Sequence, residues 1–196
     1  MKQLKKQDKI RHIGLSEVSS ETLRRACRVE KVDAVQVEPF SLDIESEQIG
    51  LLKTARELGV AIVAYAPLGR GMLGGNIRSN SDLSDDDTRK YSPRFSEENF
   101  PKNLKLVDTL TSIAEKKNIT ASQLTLAWLL AQGNDIFPIP GTTSLPRIHE
   151  NYTSSTIHLT NEETAEIRKA CEEAIVHGAR YPEGFLKDTF ADTAVL

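Results

Sequence analysis

The sequence is poor in cysteine, in tryptophan and in long apolar runs, and these shortages exclude several classes of protein. Cys27 and Cys171 are the two cysteines among 196 residues. They stand far apart and outside any CxxC or metal-ligand spacing, so a disulfide framework and a cysteine metal site are excluded. We expect free thiols in a reducing compartment, the cytoplasm. No segment approaches the roughly 18 consecutive apolar residues of a membrane-spanning helix, so no membrane partner is predicted.

The sequence also lacks an excess of charge of either sign. Its net charge is −3 and its pI is about 5.9, which excludes the electrostatic signature of a nucleic-acid partner. The basic run at residues 1–9 is interpreted as a solvated helix end, with a polyanion patch as the alternative. With 39% apolar and 27% charged residues, the composition is typical of a globular protein, and the length predicts a single domain over residues 1–196.

Short β-branched runs alternate with longer helical patterns along the chain. The alternation predicts an α/β fold with a parallel sheet. Helix ends are indicated by N-caps at Ser19 or Ser20, Thr120 and Thr160, by Glu163 in a capping box, and by a C-terminal cap at Gly59. The predicted strands are 9–16, 34–38, 60–65 and 135–139, and the predicted helices are 20–30, 46–58, 103–117, 121–132, one from about 146, and 161–176.

Four strands are too few for a closed (β/α)₈ barrel, so the pattern alone favours a small doubly wound sheet. Residues 69–102 form a long stretch rich in Gly, Ser, Asp and Asn. Such a loop is usually functional or disordered, and its position after the third strand suggests a flap.

The segment from Ile139 to Asn151 contains the most informative motif. A strand end, a glycine turn and a helix N-terminus together form a phosphate-binding arrangement, because backbone N–H groups converge and the helix dipole favours an anion. Thr142 and Ser144 add hydroxyl donors, and Arg147 in the first helical turn can bind a phosphate with two hydrogen bonds. The alternative is an ordinary strand–helix turn with Ser and Thr as caps.

This segment resembles the last βα unit of the aldo-keto reductases, where the same spacing holds the 2′-phosphate and adenine of NADPH. The resemblance implies that Thr142 and Arg147 contact the 2′-phosphate and that Glu150 and Asn151 face the adenine. Gly141, which we include among the cofactor contacts, stands where many members have lysine.

Three further segments resemble the preceding strands of the same family, in order and spacing. Ser16, at the end of the first strand, and Gln36, in the second, would hydrogen-bond the nicotinamide carboxamide, although Glu17 replaces a frequent asparagine. Tyr65 would stack on the nicotinamide ring. The turn after it, with Ala66 replacing a frequent serine, would wrap the pyrophosphate through Pro67, Leu68, Gly69, Arg70 and Gly71.

The resemblance implies that these elements are strands five to eight of a (β/α)₈ barrel with their helices. The family reduces aldehydes and ketones with NADPH, using Tyr, Lys, Asp and His from the first four strands. Tyr91, Tyr152, Tyr181 and His12 do not match those positions, so no catalytic residue is assigned. We therefore expect an N-terminally truncated reductase that is weak or inactive alone.

Two alternatives remain open: a non-catalytic module that binds NADPH or pairs with another half-barrel, and an unrelated flavodoxin-like regulator. A partial barrel would expose two sheet edges and an apolar inner face, for which we name Ile10, Val35, Val37 and Ile62. We expect self-association or pairing with a missing N-terminal half.

Overall fold

The structure is a computed structural model that describes residues 1–38, 47, 49–187 and 189–194. Within these residues four strands alternate with helices, and every bound below refers to this part of the chain. The strands are β1 (Gly14–Ser16), β2 (Ala34–Val37), β3 (Ala61–Tyr65) and β4 (Ile136–Ile139). The helices are α1 (Lys2–Lys6), α2 (Ser20–Val29), α3 (Leu51–Glu57), α4 (Phe100–Lys116), α5 (Ala121–Ala131), α6 (Leu145–Thr153), α7 (Asn161–Glu173) and α8 (Glu183–Leu186).

The helix starts follow the capping residues. The Ser19 hydroxyl accepts a hydrogen bond from the Thr22 amide at the start of α2, and complete capping boxes open α5 at Thr120 and α7 at Thr160. Gly59 adopts a left-handed φ of 64° just after α3. These features confirm the predicted caps, because a cap depends on residues only a few positions apart.

Several boundaries differ from the predictions. The strand expected over 9–16 is confined to Gly14–Ser16, since the Ile13 amide donates to the Asp33 carboxylate at 3.0 Å and not to a neighbouring strand. The helix expected over 161–176 ends at Glu173, where Ala174 becomes extended. Residues 46 and 48 of the helix predicted at 46–58 lie outside the described residues, and α3 is described from Leu51.

The sheet is fully parallel, with the strand order β1-β2-β3-β4. Each strand therefore lies beside the one that precedes it in sequence. A doubly wound sheet of the flavodoxin type reverses its strand order at a switch point, and these four strands contain no reversal. The order therefore argues against the flavodoxin-like alternative.

One face of the sheet is covered and the other is open. Val35, Val37 and Ile62 are buried in the same core cluster as Leu104, Val107 and Trp128 of α4 and α5, so the expectation that these three residues line an uncovered face was wrong. The residues of opposite parity are more accessible, and Phe137 and Ile139 of β4 are 52% and 46% exposed. Because all four strands are parallel, their carboxyl ends lie at the same edge of the sheet.

The stretch at residues 69–102 is not structureless. It contains short 3₁₀ turns at Gly69–Gly74, Asn80–Asp82, Thr88–Tyr91 and Pro93–Phe95, and its apolar residues Met72, Leu73, Leu83 and Phe95 join the core. Among the described residues, none of the helices combines the length and the apolar character that a membrane crossing requires.

Candidate cofactor site

A cleft of about 300 Å³ lies between the turn after β3 and the start of α6, and we call it the α6 cleft. It brings together segments that are separated by about 70 residues in sequence. Nine of the predicted site residues line it, namely Pro67, Leu68, Arg70, Gly71, Gly141, Thr142, Arg147, Glu150 and Asn151. Gly69 and Ser144 lie in the same two turns but do not line the cleft.

The start of α6 supplies the cationic end of this cleft. The Thr142 hydroxyl accepts a hydrogen bond from the Ser144 amide at 3.1 Å, which shapes the turn before the helix. Arg147, in the first turn, is exposed and forms no ion pair with any residue in the described ranges. A Cβ atom at Gly141 would meet nothing within 4 Å, so the turn is open toward solvent there. The N-terminal end of α6 and an unpaired guanidinium together favour an anion.

The 66–71 turn has an unusual backbone. Ala66, Gly69, Arg70 and Gly71 have positive φ values of 46°, 57°, 58° and 93°. A left-handed conformation at a residue with a side chain costs roughly 1–2 kcal/mol, so Ala66 and Arg70 store strain. Successive turns of this kind point backbone N–H groups into a concavity that suits an anion, and strain of this sort clusters at ligand sites.

Arg89, in the long loop, supports the 66–71 turn, and it was not among the residues predicted from the sequence. Its Nη1 donates to the Arg70 carbonyl at 2.8 Å, while Nε and Nη2 bind the Asp87 carboxylate at 2.6–3.1 Å. The Asp87 pair raises the pKa of Arg89, although burial opposes the charge. Asn76, Ile77 and Ser122 also line the α6 cleft. The composition of residues 69–102 indicated a functional loop, but it did not single out Asn76, Ile77 or Arg89.

Ser16, Gln36 and Tyr65 lie outside the α6 cleft, on the open face of the sheet near the carboxyl ends of the strands. Ser16 pairs with Gln36 in register, Gln36 pairs with Val63, and Tyr65 follows two residues later on the same face. Within the described part of the chain, the Gln36 side chain forms no hydrogen bond. The structure thus groups these three residues, as the resemblance implies, but at a separate position from the cleft.

A group of charged side chains, three of them buried, lies at the same ends of the strands. This ion cluster consists of Glu17, Glu38, Arg70, Arg94 and Arg180. Arg180 binds both carboxylate oxygens of Glu17 at 3.2 Å, and Glu38 lies 3.5–3.6 Å from Arg70, Arg94 and Arg180. Although burial disfavours the cation, the Glu17 hydrogen bonds and the charge of Glu38 raise the pKa of Arg180. Burying a charge is costly unless it is paired, so these ion pairs stabilise the positions of the charged side chains.

Tyr65 lies beside this cluster. Its hydroxyl is 3.2 Å from the Tyr181 hydroxyl. Burial is the main cause that raises the pKa of Tyr65 well above its ordinary value, followed by the Tyr181 hydrogen bond and the negative charges of Glu17 and Glu38. Tyr65 is therefore neutral over the physiological pH range.

The donor set fits an anionic dinucleotide. The 66–71 turn and Arg147 supply positive potential at two places along the α6 cleft, and Glu150 and Asn151 supply an acceptor and an amide beside Arg147. Glu150 also accepts a hydrogen bond from the Thr120 hydroxyl at 2.6 Å, which holds its carboxylate in place. An elongated ligand with phosphates in its middle and a polar base at one end matches this order.

The comparisons with known sequences agree. The profile of the aldo/keto reductase family matches residues 1–172. The aldo-keto reductase yakc (NADP+) of Schizosaccharomyces pombe is 52% identical over 187 residues, which are 94% of this chain and 55% of that protein. The aldo-keto reductase str7 of Strobilurus tenacellus is 50% identical over 182 residues, 92% of this chain and 54% of that protein. The chain thus spans about half the length of the curated relatives it matches.

Solved structures show the same relation. A thermostable aldo-keto reductase crystallised with the inhibitor epalrestat is 28% identical, with a TM-score of 0.67 over 87% of this chain and 52% of that protein. The glycerol dehydrogenase of Gluconobacter oxydans, 24% identical, has a TM-score of 0.79 over 90% of this chain and 54% of its own, which supports the fold alone. On the sequence profile and the identity to its relatives, the chain belongs to the aldo/keto reductase family.

Proposed function

We propose that this chain is the cofactor-binding part of an NADP-dependent reductase of aldehydes or ketones. The observation that carries the proposal is the α6 cleft, where the strained 66–71 turn and the exposed Arg147 converge. The name of one relative at 52% identity includes NADP(+), which supports the same cofactor. When bound, NADPH supplies the hydride that reduces a carbonyl to an alcohol.

In this proposal each group of residues has a distinct role. Arg147 and the Thr142 hydroxyl bind the 2′-phosphate, and Glu150 and Asn151 contact the adenine. The backbone of the 66–71 turn binds the pyrophosphate, and Arg89 supports this turn by donating to the Arg70 carbonyl. At the sheet end, Ser16 and Gln36 orient the nicotinamide carboxamide, and the Tyr65 ring, neutral and held by Tyr181, supports the nicotinamide.

We also propose that the four strands are half of a (β/α)₈ barrel, strands five to eight. Their sequential parallel order and the one-sided burial of the sheet support this, as does the roughly twofold greater length of the relatives. The residues that resemble the family in this chain are cofactor contacts, and none matches its proton donor. We therefore propose that the 196 residues alone reduce carbonyl compounds weakly or not at all.

The test compares NADPH with NADH in the chain and in Arg147→Ala. A charge-assisted pair is worth roughly 1.5–3 kcal/mol, so the variant should bind NADPH about ten- to hundredfold more weakly. Affinity for NADH, which lacks the 2′-phosphate, should change little. Arg11→Ala is the matched control, because Arg11 is exposed and lies outside the α6 cleft. An equal loss for both nucleotides, or no loss, would contradict the assignment of Arg147.

A second candidate is a non-catalytic module that binds NADPH or pairs with another half-barrel. The exposed Phe137 and Ile139 on the open face of the sheet favour it. Aldehyde-dependent oxidation of NADPH, measured beside the binding titration, separates the two candidates. Binding with weak but measurable aldehyde-dependent turnover supports the reductase, whereas binding without any turnover supports the module.

A further inference from the structure

Arg70 makes two sets of contacts that face different sites. Its backbone belongs to the 66–71 turn, has a left-handed φ of 58° and lines the α6 cleft. Its side chain extends away from this turn to the ion cluster. Nη1 donates to the Ser92 hydroxyl at 3.1 Å and to the Arg180 carbonyl at 2.9 Å, and Nη2 lies 3.5 Å from Glu38.

The guanidinium of Arg70 also lies over the Tyr181 ring, 4.3 Å from its centroid. Arg180 and Tyr181, which make these contacts, both lie in residues 177–181, which we call the 177–181 segment. One side chain therefore joins the strained turn of the α6 cleft to a segment more than 100 residues later in the sequence.

The 177–181 segment is held at one position across the ends of the strands. The Asn103 side chain accepts from the His177 amide at 2.7 Å and donates to the His177 carbonyl at 2.9 Å. A Cβ atom at Gly178, whose φ is 83°, would come within 2.6 Å of the Pro93 backbone, so the segment approaches that turn too closely for any side chain. Arg180 binds Glu17, and Tyr181 reaches Tyr65.

We propose that Arg70 is a positioning residue that couples occupancy of the α6 cleft to closure of the 177–181 segment over Tyr65. The coupling rests on the proposed function, because NADPH is the ligand that contacts the 66–71 turn. A ligand that fixes the Arg70 backbone also fixes its guanidinium, and this stabilises the segment. By linkage, closure of the segment strengthens NADPH binding by the same factor.

Trypsin reports directly on the segment. Arg180 is 4% exposed and its guanidinium is held by Glu17, so the bond between Arg180 and Tyr181 is cut only after the segment opens. The cleavage rate at this bond, followed by mass spectrometry at low protease concentration, measures the open population. Far-ultraviolet circular dichroism of each variant verifies that the fold is retained.

Without nucleotide, Arg70→Ala should raise the cleavage rate at this bond by about tenfold or more, because hydrogen bonds from a charged donor are lost. Arg147→Ala is the matched control, since Arg147 lines the same cleft but has no contact with the ion cluster, and its cleavage rate should equal that of the wild type. Equal rates in Arg70→Ala and the wild type would overturn the proposal.

With saturating NADPH, cleavage of the wild type at this bond should slow, whereas cleavage of Arg70→Ala should not. Gly178 does not line the α6 cleft, and a Cβ atom there would push the segment away from the Pro93 backbone. Gly178→Ala should therefore weaken NADPH binding by about the factor by which NADPH protects the wild type. NADPH binding without protection would overturn the coupling and leave the proposed function standing. A folded wild type that does not bind NADPH would overturn both.

Discussion

The positions of single residues were predictable where they depend on near neighbours in sequence. Thr142 and Arg147 were identified because a strand end, a glycine and a helix start follow one another within ten residues, and both line the α6 cleft. Arg180 was not identified, because its partner Glu17 is 163 residues away. The tail has no periodicity that would indicate a buried pair, so only the tertiary structure brings the two together.

Tyr65 provides a prediction about pH. Burial, the Tyr181 hydrogen bond and the nearby carboxylates raise its pKa above the ordinary value of about 10, so the neutral form is favoured in the folded chain. Its contribution to stability is full below the unfolded-state pKa of about 10 and is lost as the pH rises above it. Tyrosinate absorbance should therefore show that Tyr65 does not ionise before the chain unfolds.

A Tyr65→Phe variant tests this directly. It should leave the number of tyrosines that ionise in the folded chain unchanged, because burial raises the pKa of the Tyr65 hydroxyl. A native titration that loses one group in Tyr65→Phe would contradict the burial of this hydroxyl.

The starts of the helices were predictable from the sequence, but the face of the sheet on which each strand residue lies was less so. The capping residues of α2, α5 and α7 place three helix starts, because a cap acts within one turn. The prediction of which strand residues lie on the uncovered face was wrong. Strands of three to five residues flanked by apolar positions do not show a clear alternation of apolar and polar residues. In a parallel sheet both faces are commonly apolar, so Val35 and Ile62 gave no sign of which face they occupy.

The capping box of α7 provides a prediction at this scale. The Thr160 hydroxyl accepts from the Glu163 amide at 3.2 Å, and the Glu163 carboxylate accepts from the Thr160 amide at 2.8 Å. Thr160→Ala should lower the free energy of unfolding in urea by about 1 kcal/mol, a typical loss for an N-cap. Thr143→Ala, at an exposed threonine in the turn before α6, should leave it nearly unchanged. Equal effects would show that the cap does not stabilise α7.

At the scale of the whole molecule, the sheet presents an apolar face that its helices do not cover. Phe137 and Ile139 lie there, and Leu145, Ile148 and Tyr152 form an exposed stripe on α6, which follows β4 directly. The resemblance implied that helices cover one face of the sheet, but the residues that form the open face were not predicted. Exposed apolar surface of this kind favours association, since burial contributes roughly 25 cal/mol per Å².

We therefore predict that the chain self-associates and that a charge on the open face prevents it. Phe137→Lys should shift the mass measured by light scattering toward the monomer. Val29→Lys, at an exposed apolar residue on α2, should leave the mass unchanged. A wild type that is already monomeric at micromolar concentration would contradict this prediction.

We propose that this chain contains an NADP site, and the first experiment is an NADPH titration of the wild type. Trp128 is fully buried and donates to the Thr164 carbonyl, so its emission verifies in the same sample that the chain is folded. We expect saturable binding of one NADPH per chain. A folded chain, with the emission of a buried tryptophan, that shows no saturable binding would contradict it.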